Sequence, residues 1–213
     1  MNITFEADSK RGIDNLINED YTYYKQILPD VTLVILTDGM GGLCYGDIAA
    51  KLAASCIIDY VKANYKSGIL VERLIIEAIE RANSNINSEC YSRHSKMGTS
   101  IALLLILPSD TYYVNLGNVR IYANLGNKIE IISQDHVVLD FYLTKCLNGK
   151  PFPTDNTVSK ISNDAINCII LCTDGLYKNL SAEDIANPYI PNECAIHDDA
   201  SYIKITFNTH VCR

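Results

Sequence analysis

The 213-residue chain has no block or stripe of basic residues, and its 25 acidic and 18 basic side chains leave a formal charge of −7. The electrostatic footprint by which proteins hold a nucleic acid backbone is therefore missing. The longest apolar stretch, "TSIALLLILP" over residues 99–108, is about half a membrane span and has strand length. "MNITFEADSK" contains no basic segment followed by an apolar one, so no signal peptide is evident and no membrane association is expected. The eight cysteines (44, 56, 90, 146, 168, 172, 194 and 212) include no Cys-x-x-Cys pair that would point to zinc or dithiol chemistry. Several lie in apolar runs such as "CIILC", as expected of buried free thiols in a cytoplasmic protein. His94, His136, His197 and His210 fall in unrelated contexts and supply no His/Cys ligand set. The glycines at 39, 41 and 42 are followed by no Gly-Lys-Ser/Thr, which excludes a Walker loop, and their spacing is wrong for a dinucleotide fingerprint.

What is present reads as one folded domain over residues 1–213, with 48% hydrophobic and 20% charged residues. "NITFEADSK" predicts a first strand, followed by the polar turn "RGIDNLINED". "VTLVILT" predicts a buried strand and "GDIAAKLAASCIIDYVKANY" a long helix, in which Ile48, Leu52, Cys56 and Tyr60 recur on one face. "LVERLIIEAIERANSNINSECYS" predicts a second helix with Leu74, Ala78 and Ile79 on its stripe. Two successive long helices argue against a regular βαβ repeat. "GTSIALLLIL", "TYYVNLGN", "VRIYANL" and "KIEIIS" then predict antiparallel hairpins, joined at "PSD" and "GN". The tyrosines of "DYTYY" and "TYYVN" read as strand and surface residues. Residues 135–163 read as irregular or weakly helical, with loop at Pro151 and Pro153. "AINCIILCT" predicts a buried strand, "SAEDIAN" a short helix capped by Ser181, and "ASYIKITF" a last strand. Helices set into a strand-rich chain predict an α+β fold of face-to-face sheets with helices outside.

Acidic residues stand where apolar strands end or begin, at Asp38, Asp174 and Asp198, and Glu19-Asp20 follows the first turn. Carboxylates at neighbouring strand ends can converge, and such a cluster repels itself unless cations neutralise it. Oxygen donors suit Mg²⁺ or Mn²⁺. Each Asp-Gly pair taken singly is also what begins an ordinary turn. Residue types and spacing leave both readings open.

Seven short motifs sharpen the choice: "GIDNLINED" (12–20), "DGMGG" (38–42), "MGTS" (97–100), "GNVR" (117–120), "SQDH" (133–136), "CTDG" (172–175) and "DDAS" (198–201). In this order they resemble the metal-dependent protein serine/threonine phosphatases of the PP2C (PPM) family, in its compact bacterial form. The resemblance implies an αββα sandwich with a layer of helices on each side and a metal centre at one end between the sheets. It implies two Mn²⁺ or Mg²⁺ ions: Asp38 would bridge them, with the Gly39 carbonyl, Glu19 and neighbouring Asp20 on one side and Asp174 and Asp198 on the other. Asp198 matches the family's aspartate and Asp199 its asparagine. The implied reaction is hydrolysis of phosphoserine or phosphothreonine in proteins by a metal-activated water held through Asp38 and Asp174. A phosphorylated protein substrate, a serine/threonine kinase as counterpart and a monomeric state are the corresponding expectations. No Cys-x5-Arg loop is present, so the cysteines need no nucleophilic role.

The chain also departs from the family pattern. Asn15 occupies the place of the phosphate-gripping arginine, and an amide offers no charged fork; Arg11 is the nearby candidate to replace it as a substrate contact. Asn118 replaces the aspartate that helps hold a third ion, which should weaken that ion. Met40 stands where some relatives carry histidine, so no general acid comes from that position. Arg120 and His136 are expected to serve the structure. Only 37 residues separate His136 from Asp174, and 22 lie between Gly175 and Asp198, so a shortened flap and shortened late helices are expected. These departures favour one rival, a catalytically weak or inactive PP2C-like module that binds phosphoproteins.

Overall fold

The structure, a computed structural model, describes residues 2–126, 128–139, 142–154, 157–191 and 196–208. It is an α+β fold of two five-stranded antiparallel sheets flanked by helices. The first sheet has the order β1-β12-β11-β6-β7, from β1 (Asn2–Lys10), β12 (Ala200–Asn208), β11 (Ile166–Cys172), β6 (Arg120–Leu125) and β7 (Lys128–Ile131). The second has the order β10-β5-β4-β3-β2, from β10 (Ser159–Ser162), β5 (Asp110–Leu116), β4 (Thr99–Ile106), β3 (Val31–Gly39) and β2 (Asp20–Leu28). The helices α1 (Gly46–Asn64) and α2 (Val71–Ser92) intervene between β3 and β4.

The unbroken apolar runs of β3 and β4 arise because both faces of these strands are covered. On one face Val34, Leu36, Ala102 and Leu104 meet Ile121, Ile169, Leu171 and Ile203 of the first sheet. On the other, Leu33, Ile35, Leu103 and Leu105 pack against α1 and α2. The sandwich core and the helix–sheet core thus share one pair of strands.

Several local expectations change. Leu74, Ala78 and Ile79 of α2 are buried as the periodicity predicts, but α1 buries Ala49, Ala53 and Ile57 with Ala50, Ala54 and Ile58. The stripe Ile48, Leu52, Cys56 and Tyr60 is only half-buried at the margin of that core. Small side chains let the helix axis approach its neighbours, so the alanine face, though less hydrophobic per residue, is the one that goes in.

Residues 135–163 hold more strand than expected. Two-residue strands β8 (Val137–Val138) and β9 (Tyr142–Leu143) form a hairpin, and β10 adds to the second sheet beside β5. "SAEDIAN" forms its cap, with the Asp184 N–H donating to Ser181 Oγ at 3.2 Å, but continues only as a 3-10 turn over Asp184–Ala186. Pro188 stops it there. The outer face of the first sheet therefore lacks a second layer of long helices among the described residues. A one-turn helix α3 (Asp174–Tyr177), the 3-10 turn and loop residues such as Ile190 and Ile196 cover Tyr122, Ile170 and Tyr202. No helix among the described residues is long and apolar enough to cross a membrane.

Candidate active site

Strand register places the acidic residues. Pairing of β2 with β3 sets Asp20 opposite Asp38, and pairing of β3 with β4 sets Ser100 opposite Asp38 and Thr99 opposite Gly39. The Asp38 carbonyl accepts hydrogen bonds from Thr99 Oγ1 at 2.8 Å and Ser100 Oγ at 3.4 Å. From the other sheet, Asp174 opens α3 directly after β11, and Asp198-Asp199 precede β12. Thr173 joins the two sheets: its hydroxyl accepts from the Ser201 N–H at 2.9 Å and donates to Asp20 Oδ2 at 3.1 Å.

Asp38, Asp174 and Asp198 line one cleft of about 640 Å³, with Gly39, Asn15, Asn118 and Met40. Val137 and Leu143 of the β8–β9 hairpin border it, so a short hairpin stands where the expected flap is reduced. Gly39 is required by contact. A Cβ there would lie 2.5 Å from the Gly46 backbone, because the end of β3 runs against the start of α1.

The other candidates stand around this cleft without lining it. Glu19 is half-buried; its carboxyl lies against Gly46 at the start of α1, where the helix dipole favours a negative charge. Asp20 is buried, and its Oδ1 has no hydrogen-bond partner among the described residues. Asp199 is buried and spends both oxygens on backbone, accepting the Gly12 N–H at 2.8 Å and the Glu19 N–H at 2.7 Å. It ties the polar turn to the start of β12, while its exposed neighbour Asp198 faces the cleft.

Asn15 reaches the acidic group directly, its Nδ2 donating to Asp198 Oδ1 at 3.3 Å. Arg11 does not line the cleft. Its guanidinium donates to the carbonyls of Gly12 and Asn15, bracing the turn that carries Asn15. Asn118 lines the cleft with its Oδ1 engaged by Ser100 Oγ at 2.9 Å.

The electrostatics are those of a cluster short of positive charge. Burial raises Asp38 well above the usual carboxylate range, and Asp20, Asp174 and Asp198 add to the rise. Burial also pushes Asp20 up to about 8, with Asp199 contributing. Asp198, although its side chain is exposed at the cleft, is raised by the partial desolvation of its carboxyl and by Asp174, and Glu19 by burial and by Asp199. Among the described residues no three acidic, histidine or cysteine side chains close around one point as a ready-made ion cage. The donor set nonetheless fits a hard divalent cation. It is made of oxygen, it repels itself, it contains an orphaned carboxylate oxygen at Asp20, and it already attracts an ammonium group. That ammonium belongs to Lys178, whose Nζ stands 2.7 Å from Asp174 Oδ2.

Lys178 escaped the sequence reading, although its i,i+4 spacing from Asp174 was the available signal. The motif "GNVR" and the element "SQDH" meet in a structural clasp outside the acidic group. Arg120 donates to both oxygens of Asp135 and stacks 3.8 Å from the Tyr177 ring centroid. His136 is half-buried, with its Nδ1 facing the Gly117 N–H at 3.4 Å. Six described cysteines are free; Cys146, Cys168 and Cys172 are buried, Cys56 and Cys90 half-buried, and Cys44 exposed, contrary to expectation. Burial pushes the Cys168 thiol up to about 11 and Cys172 up to about 12, which keeps both protonated. Cys194, Cys212 and His210 lie outside the described residues.

Residues 9–202 match the sequence profile described as protein phosphatase 2C. The chain belongs to this family. Among relatives of the protein phosphatase 2C family, protein phosphatase PhpP of Streptococcus pneumoniae is 27% identical over 128 residues, covering 58% of this chain and 51% of that protein. The chain thus spans a little over half the length of the curated relatives first matched, 57% and 51%. Solved structures share the fold more fully. The Mycobacterium tuberculosis serine/threonine phosphatase PstP/Ppp superposes with a TM-score of 0.79 at 19% identity, covering 97% of this chain and 99% of that one. The catalytic domain of the serine/threonine protein phosphatase PstP, solved in complex with two manganese ions, gives a TM-score of 0.77 at 21% identity, covering 96% and 97%.

Proposed function

We propose that the cleft hydrolyses phosphomonoesters, with phosphoserine and phosphothreonine in proteins as the substrate class, using two Mn²⁺ or Mg²⁺ ions. The observation that carries this reading is the convergence of Asp38, Asp174 and Asp198, from strand ends in both sheets, on one open cleft. Membership of the protein phosphatase 2C family supports the reaction, and the two manganese ions of the PstP structure support the cofactor.

Asp38, with the Gly39 carbonyl and Glu19 toward α1, Asp20 behind them, and Asp174 and Asp198 toward β12, would hold the ions in this reading. When bound, such ions supply a nucleophilic water at neutral pH and neutralise charge on the phosphoryl oxygens. The chain's own residues prepare the place. Thr99 and Ser100 fix the Asp38 backbone, Thr173 fixes Asp20, and Asp199 fixes the segment from Gly12 to Glu19. Asn15 stands at the cleft as a neutral substrate contact, which Arg11 supports from behind. With Asn118 in place of a carboxylate, a third ion has little to hold it. The substrate is a protein phosphorylated by a serine/threonine kinase.

The test is Mn²⁺-dependent dephosphorylation of phosphoserine and phosphothreonine peptides and of an aryl phosphate. Wild type is expected to turn over both, and Asp38→Asn and Asp174→Asn to lose activity by roughly 100-fold or more while remaining folded. Absence of hydrolysis by wild type at every Mn²⁺ or Mg²⁺ concentration, with phosphopeptide binding retained, would transfer the reading to a phosphoprotein-binding module.

A further inference from the structure

Lys178 is the one lysine or arginine among the described residues that line the cleft. It follows the last residue of α3, four positions after Asp174, the order in which an acidic and a basic side chain meet best on a helix. An ordinary surface pair of this kind would face solvent. This pair faces the acidic cleft instead: Nζ stands 2.7 Å from Asp174 Oδ2, and the carboxylates of Asp38 and Asp198 act on the same ammonium. Asp174 is nearly buried while the Lys178 side chain remains more than half exposed, so the carboxylate is fixed and the cation can withdraw. The neighbouring amide of Asn118 adds no charge to this side of the cleft, and its oxygen is taken by Ser100.

We propose that Lys178 is a tethered counter-ion of the acidic centre. It occupies Asp174 in the ion-free protein and competes with a divalent cation for that carboxylate. The proposal rests on reading the cleft as an ion site and adds a consequence specific to this chain. Two cations cannot share Asp174 Oδ2 at contact distance without strong repulsion, so ion entry requires the ammonium to leave. The same contact relieves the repulsion among Asp38, Asp174 and Asp198 when no ion is bound. Lys178 therefore stabilises the ion-free fold and weakens ion binding by linkage. It acts through Asp174 and is a positioning residue.

Calorimetric titration with Mn²⁺ alone, on the full chain, tests this in wild type, Lys178→Gln, Lys178→Arg and Asp38→Asn, with thermal midpoints measured in chelator. Lys178→Gln is expected to bind Mn²⁺ about 1.5-fold to fivefold more tightly, within the range a partly exposed ion pair can contribute, and to melt lower without ions. Lys178→Arg should stay near wild type in both measurements. Unchanged or weaker Mn²⁺ binding by Lys178→Gln overturns the proposal, because a side chain serving only to brace α3 would lower the midpoint without tightening the ion. Asp38→Asn separates the two levels of the argument. If it loses Mn²⁺ while Lys178→Gln matches wild type, the ion site stands and the counter-ion role falls. If it binds Mn²⁺ as wild type does, the reading of the cleft falls and the proposal with it.

Discussion

At the scale of single residues, Asp198 and Asp199 are adjacent carboxylates with opposite tasks. Asp198 is exposed toward the cleft, whereas Asp199 satisfies two backbone donors, at Gly12 and Glu19, inside the protein. Replacing Asp199 with alanine leaves both N–H groups without their acceptor, and is expected to cost about 3 kcal/mol in a denaturant melt. Asp198→Ala in chelator should cost less, since its carboxylate accepts one part-buried backbone donor, the Asp199 N–H at 2.9 Å, and the exposed Asn15 amide. Asp20 gives the ion-free protein a pH dependence of defined sign. Its carboxyl is held protonated up to about 8 in the fold against an ordinary value of 3.8. Between these values the native state binds the extra proton, so stability is full below the lower value and falls as pH rises through the higher. The thermal midpoint of metal-free protein should therefore decline from about pH 5.5 to about pH 8, and added Mn²⁺ should raise it more at the higher pH, where the carboxylates are free to bind. A midpoint that rises over this interval in metal-free buffer would contradict the assignment. The aspartates were legible because each sits beside a strand end in a short motif. The division of labour between Asp198 and Asp199 was not, since it depends on which carboxylate meets the turn at Gly12, 187 positions away in the chain.

Among the elements, the junction of β3 with α1 determines how the centre is held. Gly39 ends β3 against the backbone of Gly46, and Glu19 closes the start of α1 from the other side. Gly39→Ala pushes a methyl group into a backbone contact of 2.5 Å. It should destabilise the protein by about 1–3 kcal/mol in denaturant melts, through displacement of the first turn of α1. The long helices and central strands were legible because covering on both faces writes an unbroken apolar run for β3 and β4, and packing on one face writes a 3.6-residue stripe for α2. The inward face of α1 was misread because hydrophobicity favoured the larger residues of Ile48, Leu52, Cys56 and Tyr60 over a row of alanines. β10 was missed for a different reason. It is a four-residue edge strand whose only sheet partner among the described residues is β5, and so short a piece with one covered side carries little pattern.

For the whole molecule, the two sheets bring together in the cleft what the chain keeps far apart. Asp38 arrives from the second sheet, Asp174 and Asp198 from the first, and the core of Leu36, Leu104, Ile169 and Ile203 fixes their separation. The ordered motifs were enough to indicate this architecture through family resemblance; composition and periodicity alone reached only face-to-face sheets with helices outside. The cleft's borders were the part least open to sequence, because they are made of a two-residue hairpin at Val137 and Leu143 and a lysine reached across one helical turn. The most direct test of the central claim is an anomalous difference map from crystals of the wild-type protein equilibrated with Mn²⁺. Manganese peaks in the cleft, with Asp38 between them and Asp174 and Asp198 on one side, are the predicted result. A cleft with no anomalous peak at saturating Mn²⁺, or peaks only at sites remote from Asp38, would contradict it.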